Sequence, residues 1–152
     1  MVNVHETALL QNVELGEDST VWAYSNLYDC TVGDDCLIGP YVELQTDVEL
    51  GDEVAVQSHS FLCQGMVVED RAWIGHGVQT VNNLYPPGEP PWDSPIVREG
   101  AVVGTGATLM PVEIGRNAVV GAGAVVLEDV PPNTTVVGNP AQPIDEKNGR
   151  TW

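Results

Sequence analysis

An aliphatic side chain recurs at every sixth position through the middle of this chain: Val32, Ile38, Leu44, Leu50, Val56, Leu62, Val68 and Ile74. Thr80 holds the next position, and Val97, Val103 and Leu109 resume the period. One residue is then lost before Ile114, Val120 and Val126 continue it. Upstream, Leu9, Leu15, Val21 and Leu27 keep the period one residue out of phase. Four residues after each aliphatic stands a small or β-branched residue, among them Ser19, Ser25, Thr31, Cys36, Ser60, Ala72 and Ala107. Glycine often follows the aliphatic directly, as at Gly16, Gly33, Gly75 and Gly104, where it would allow a positive φ at a corner. A period of six is neither helical nor a simple alternation. It suits a short strand and a turn repeated around a three-sided prism, with coils of about 18 residues stacked about 4.8 Å apart. The predicted fold is therefore all-β, a parallel β-helix in which each unit buries its apolar face against its neighbours. On this reading Val32, Leu50 and Val68 share one face, Ile38, Val56 and Ile74 the next, and Leu44 and Leu62 the third.

Charge narrows the partners. The chain has 22 acidic residues against five basic ones, a net charge of −17. Such a surface repels nucleic acid, whose phosphates need clustered Lys and Arg. It is not a disordered acidic tail, because 43% of the residues are hydrophobic and the acids are spread throughout. An acid-rich, lysine-poor surface suits a high-salt cytoplasm, where screening shortens the reach of self-repulsion to about 3 Å at about 1 M salt. Cys30, Cys36 and Cys63 form no CxxC pair and read as reduced core thiols. No secretory leader or membrane-spanning run is visible, so a cytoplasmic protein without membrane insertion is expected.

The repeat is interrupted from about 81 to 96, where five prolines gather with Tyr85 and Trp92. Proline removes ladder donors, so this stretch leaves the prism as a long inserted loop, the place where a uniform solenoid carries function. After Val126, Pro131-Pro132 and Gly138-Asn139-Pro140-Ala141 read as a closing cap. One domain is predicted over 1–144, followed by a tail over 145–152.

With these residues in view, the chain resembles the hexapeptide-repeat acyltransferase superfamily. Within it, the chain is similar to nucleotide-linked amino-sugar N-acetyltransferases of surface-glycan synthesis. The resemblance rests on Ser19-Thr20-Val21-Trp22, Val81-Asn82-Asn83-Leu84-Tyr85-Pro86, Ile96 to Ala101, Val120 to Val126, and Val137 to Ala141. It implies a left-handed coil, a homotrimer with sites between subunits, acetyl-CoA as co-substrate, and an acceptor under the loop. The family often carries Arg soon after Tyr-Pro, where this chain has Pro87-Gly88-Glu89. The resemblance further implies that Asn82 orients the acceptor amine, here a 3-amino sugar on a nucleotide carrier. Asn83, Tyr85, Gln57 and Trp22 are the acceptor-binding candidates. For CoA the candidates are Gly104, Gly106, Ala122 and Ala124 along the pantetheine arm, Arg116 or Arg98 at the phosphates, and Gly138, Asn139 and Pro140 beside the adenine.

His59 and His76 stand 17 residues apart, one short of a coil, and either could act as general base. A histidine base would matter more for a hydroxyl acceptor, which makes a sugar O-acetyltransferase the alternative. A zinc enzyme like the γ-type carbonic anhydrases needs two histidines five apart, and the chain has only His5, His59 and His76. No metal is expected. A non-catalytic scaffold would need neither the loop nor the Gly-Asn-Pro-Ala end.

Overall fold

The computed structural model describes residues 1–144, and the expected tail at 145–152 lies outside them. The chain is a left-handed parallel β-helix. Its first sheet has nine strands, running from Asn3–Val4 through Ala55–Val56 to Gln142–Pro143. The second has seven, from Leu9–Gln11 to Val125–Val126, and the third six, from Glu14–Leu15 to Glu113–Ile114. The chain visits them in rotation, turning a first corner into the second sheet, a second corner into the third, and a third corner back to the first. Every pairing between strands is parallel except the last, where Thr135–Val137 meets Gln142–Pro143 antiparallel and covers the end of the first sheet.

The repeat supplies the core. Val56, Ile74 and Val103 stack on one face, Leu44 and Leu62 on another, Val68 and Val97 on the third, each almost inaccessible to water. Buried hydroxyls share this interior because each is bonded. Ser60 Oγ donates to Gly75 O at 2.7 Å and accepts Val78 N–H at 3.1 Å. Among the described residues no buried side-chain polar atom lacks a partner.

Three expectations need correction. Leu10, not Leu9, aligns with Leu27, while Leu9 is 68% exposed. Cys30, not Thr31, is the small buried residue of its turn. Both follow from second corners shortened by one residue, which give coils of 17 (Leu10↔Leu27, Leu15↔Val32) instead of 18 (Val56↔Ile74). The third correction concerns the glycines. A Cβ on Gly16, Gly33, Gly75, Gly104 or Gly115 would lie 2.3–2.7 Å from backbone of the next coil, so close approach excludes a side chain there. Positive φ falls two residues later on most corners, and that position holds Asp35, Asp47, Tyr41, His59 and Arg71 as well as glycine.

The third corner shows what an acid-rich sequence does locally. Asp34, Asp52 and Asp70 each accept, through Oδ1, the exposed N–H of the preceding coil, from Glu17, Asp34 and Asp52 at 2.7–2.9 Å. Further along, the same corner carries Arg71, Arg98 and Arg116, the only Lys or Arg among the described residues. Arg98 binds Glu113 and Glu69, each at 2.8 Å, and Arg71 pairs with Glu99. Hydrogen bonding to Arg98 pulls the Glu113 carboxyl below its usual range.

Candidate functional site

The first corner differs from the third in what it leaves unmet. On its turns the N–H groups of His76, Thr105 and Ala122 occupy the place that the aspartates cap on the third corner. They belong to exposed residues and have no partner among the described residues. One residue on, Gly77, Gly106 and Gly123 form a column with φ of +63°, +70° and +69°, and a Cβ on any of them would meet nothing within 4 Å. Their own N–H groups are used between coils, at 2.8–2.9 Å to Ser58, His76 and Thr105 carbonyls. The result is a strip without side chains along the prism axis, edged by free backbone donors. It runs toward Gly138-Asn139-Pro140 at the end of the same corner, where Gly138 O accepts Val125 N–H at 2.9 Å.

The residues at the other end of this strip are aromatic. Tyr24, Tyr41 and His59 hold the same corner position in earlier coils, and their rings stack at 5.2 and 4.9 Å. Trp22 is exposed beside them and Gln57 is half-buried on the same corner. His76 lies exposed at the head of the strip, its Nδ1 2.9 Å from Ser58 Oγ, which fixes the ring.

The structure thus gathers His59, His76, Gln57, Trp22, Gly106, Ala122 and Gly138-Asn139-Pro140 on one corner. Two residues expected in the cofactor contact do not fit it: Ala124 is fully buried and Gly104 packs against the next coil, with both N–H groups already bonded. Gly77, Thr105 and Gly123 line the strip instead. Arg116 belongs to the third corner, where it faces Glu99 at 3.3 Å, and Arg98 is spoken for by two carboxylates.

Asn82 and Asn83 sit on the second corner, so within one chain they do not meet His59 or His76. The loop spans 81–95, with Ile96 already in a strand. Asn82 Nδ2 and Ser94 Oγ donate to the same carbonyl, that of Gln64, at 3.2 and 2.6 Å, which ties both ends of the loop to one point. This leaves the Asn82 Oδ1 without a partner among the described residues. Tyr85 projects from the loop, 85% exposed. An open groove of about 540 Å³ lies elsewhere, on the third sheet, lined by Thr31, Glu49, Val67, Glu69 and Glu99. Among the described residues no three His, Cys, Asp or Glu side chains are grouped to hold a metal, and no helix is long and apolar enough to cross a membrane.

Known proteins share this architecture. Residues 29–64 match the bacterial transferase hexapeptide family, and residues 96–128 match the hexapeptide repeat of succinyl-transferase. The bifunctional protein GlmU of Carboxydothermus hydrogenoformans is 30% identical over 141 residues, which cover 82% of this chain and 31% of that protein. The chain thus spans about a third of that relative's length. Serine acetyltransferase of Neisseria gonorrhoeae superposes with a TM-score of 0.60 at 33% identity, over 68% of this chain and 41% of that one. PerB of Caulobacter crescentus, solved with CoA and GDP-perosamine, superposes over 95% of this chain and 57% of its own with a TM-score of 0.56. At 24% identity it shares the fold. The repeats are those of hexapeptide-containing transferases, as the resemblance implied.

Proposed function

We propose that this protein of transferase-type hexapeptide repeats moves the acetyl group of acetyl-CoA to the amine of a nucleotide-linked amino sugar, a 3-amino sugar by its loop. The observation that carries this reading is the first-corner strip. A pantetheine arm has two amides and no charge, and it needs a narrow path with backbone donors at coil spacing. His76, Thr105 and Ala122 supply the N–H groups, and Gly77, Gly106 and Gly123 keep the path clear. Adenine then lies toward Gly138-Asn139-Pro140 and the thioester arrives near His76.

The chemistry asked of the protein is modest. The amine nitrogen attacks the thioester carbon, the carbonyl oxygen gains charge, and the C–S bond breaks as the nitrogen's proton passes to the leaving thiolate. An N–H at the head of the strip stabilises the oxyanion, the contribution expected to be largest in acyl transfer. Asn82, with its Nδ2 held by Gln64, presents Oδ1 to an amine N–H and so aims the nitrogen lone pair.

Because Asn82 and His76 lie on different corners of one chain, the complete site needs a neighbour. Leu37, Ala55, Trp73, Val102 and Val119 form an unbroken apolar ladder on the outer face of the first sheet. Three copies packing through this face would form a homotrimer; the face joins the third and first corners, so the loop on the opposite second corner has to arch round the prism to reach a neighbour's first corner. Sedimentation should then give three chains per particle, and Trp73→Glu should give one.

A hydroxyl acceptor is the second reading, favoured by His76, whose ring Ser58 holds at the head of the strip. Thiol release from acetyl-CoA against nucleotide-linked amino sugars and their hydroxy counterparts separates the two. Release with an amine, lost on Asn82→Ala and kept in large part by His76→Asn, supports N-acetylation. Release only with the hydroxy sugar, lost on His76→Asn, supports the second reading, and no release with any acceptor sinks both.

A further inference from the structure

We infer that His59 meets the substrate through the face of its ring, as a stacking platform for a ring of the nucleotide-linked acceptor, and not through its proton. The inference rests on the acyltransferase reading above and deepens it. Tyr24, Tyr41 and His59 occupy the left-handed position of the first corner in three successive coils, at φ of 59°, 58° and 63°. Their rings stack at 5.2 Å and 4.9 Å with interplanar angles of 23° and 5°, so the ladder flattens toward His59. The coil repeat, about 4.8 Å, is itself a ring-stacking distance.

The next member of the column is Gly77, at φ +63°, the same backbone conformation that carries histidine one coil earlier. Conformation therefore does not demand glycine at this point, and a Cβ there would meet nothing within 4 Å. The ladder stops with the far face of His59 turned toward an open slot one coil high. The slot adjoins His76 and is where the thioester arrives if the arm follows Gly106 and Gly123. A ring entering it face-on becomes the fourth rung. The first corner has no Lys or Arg among the described residues, so charge is not what would hold the acceptor here. Nucleobases and sugar rings both offer a face to imidazole, and base stacking on aromatic side chains is worth on the order of ten- to a hundred-fold in affinity.

Three substitutions test this. His59→Asn removes the ring but suits the backbone, since Asn12, Asn117 and Asn133 hold equivalent left-handed positions in this chain. His59→Tyr keeps a ring, as at Tyr24 and Tyr41, and removes the imidazole. Gly77→Tyr extends the ladder and fills the slot. Titration calorimetry uses amino sugars linked to UDP, dTDP and GDP, the bare nucleoside diphosphates, and CoA. His59→Asn should weaken the acceptor about ten-fold or more in Kd and KM with CoA affinity and kcat little changed, and His59→Tyr should restore it. Gly77→Tyr should abolish acceptor binding, and also weaken CoA because Gly77 lines the donor path, while melting no lower than wild type. Equal losses for the bare diphosphate and the nucleotide sugar would identify the nucleobase as the stacked ring, whereas a loss confined to the nucleotide sugar would identify the pyranose. Unchanged acceptor affinity in His59→Asn, or a kcat collapse shared by His59→Asn and His59→Tyr at constant KM, overturns the proposal. Failure of the acyltransferase reading shows separately, as wild-type protein that neither binds CoA nor releases thiol.

Discussion

Replacing Gly75 with alanine should destabilise the protein by about 3 kcal/mol, although the added group is one methyl at a buried corner. A Cβ at Gly75 would lie 2.7 Å from Thr105 N, 2.8 Å from Val103 O and 2.9 Å from Gly104 C, all backbone atoms of the next coil. Ordinary contact begins near 3.4 Å, so that coil must retreat by more than half an ångström. Two hydrogen bonds lie across this gap, Gly75 N–H to Val103 O and Gly106 N–H to His76 O, both 2.8 Å. Stretched by that amount they pass the useful range for N–H···O geometry. Leaving such groups poorly paired costs about 1–3 kcal/mol each, and overpacking costs are similar. Gly106→Asn is the control, because its Cβ enters open space and asparagine already holds φ of 53–57° at Asn12, Asn117 and Asn133. It should cost less than about 1 kcal/mol, as asparagine tolerates this region. Urea unfolding followed by circular dichroism gives both values. A Gly75→Ala variant within about 1 kcal/mol of wild type, or two variants equally affected, would refute the reasoning.

Ser60→Ala removes both the donor to Gly75 O and the acceptor for Val78 N–H. It should cost about 2–4 kcal/mol in the same urea measurement, more than an exposed Ser→Ala change. Burial pushes the Cys30 thiol up to about 11 and raises Cys36 and Cys63 as well. The native protein should therefore resist Ellman's reagent at pH 8 and react fully once unfolded. A thiol whose folded pKa lies above its unfolded value contributes stability below pH 9, and that contribution should fade as pH rises through 11. Glu113 has the opposite sign: its carboxyl is depressed by Arg98, so its contribution is present above the unfolded value and lost on acidification, an effect that Arg98→Leu should remove from the acid limb of a melting profile. With a net charge of −17, the melting temperature should climb with KCl up to about 1 M as self-repulsion is screened. A flat response would contradict the high-salt reading.

The period of six made the prism legible because every inward aliphatic is fixed by geometry alone. Its phase was harder. Leu9 and Leu10 are equally apolar, and only strand register assigns the interior to Leu10. The glycines after the aliphatics read in sequence as positive-φ corners, since close coil contact leaves no trace distinct from a demand for positive φ. Arg116 could have been placed from the sequence: it follows Ile114, which stacks on Val97, whereas Gly106 follows Val103 on another face. The free N–H groups of His76, Thr105 and Ala122 could not, because they are defined by what fails to cap them. Nor could the stack of Tyr24, Tyr41 and His59, whose spacings of 17 and 18 residues align only once the shortened second corner is known.

CoA titrated into wild-type protein and into Gly106→Asn, with urea unfolding of both, tests most directly whether the first-corner strip carries the acyl donor. Saturable binding of one CoA per chain in the wild type, lost in a Gly106→Asn variant that remains as stable, is the predicted result. Equal affinity in the two proteins would place the donor elsewhere, and the absence of CoA binding to the wild type would contradict the acyltransferase account itself.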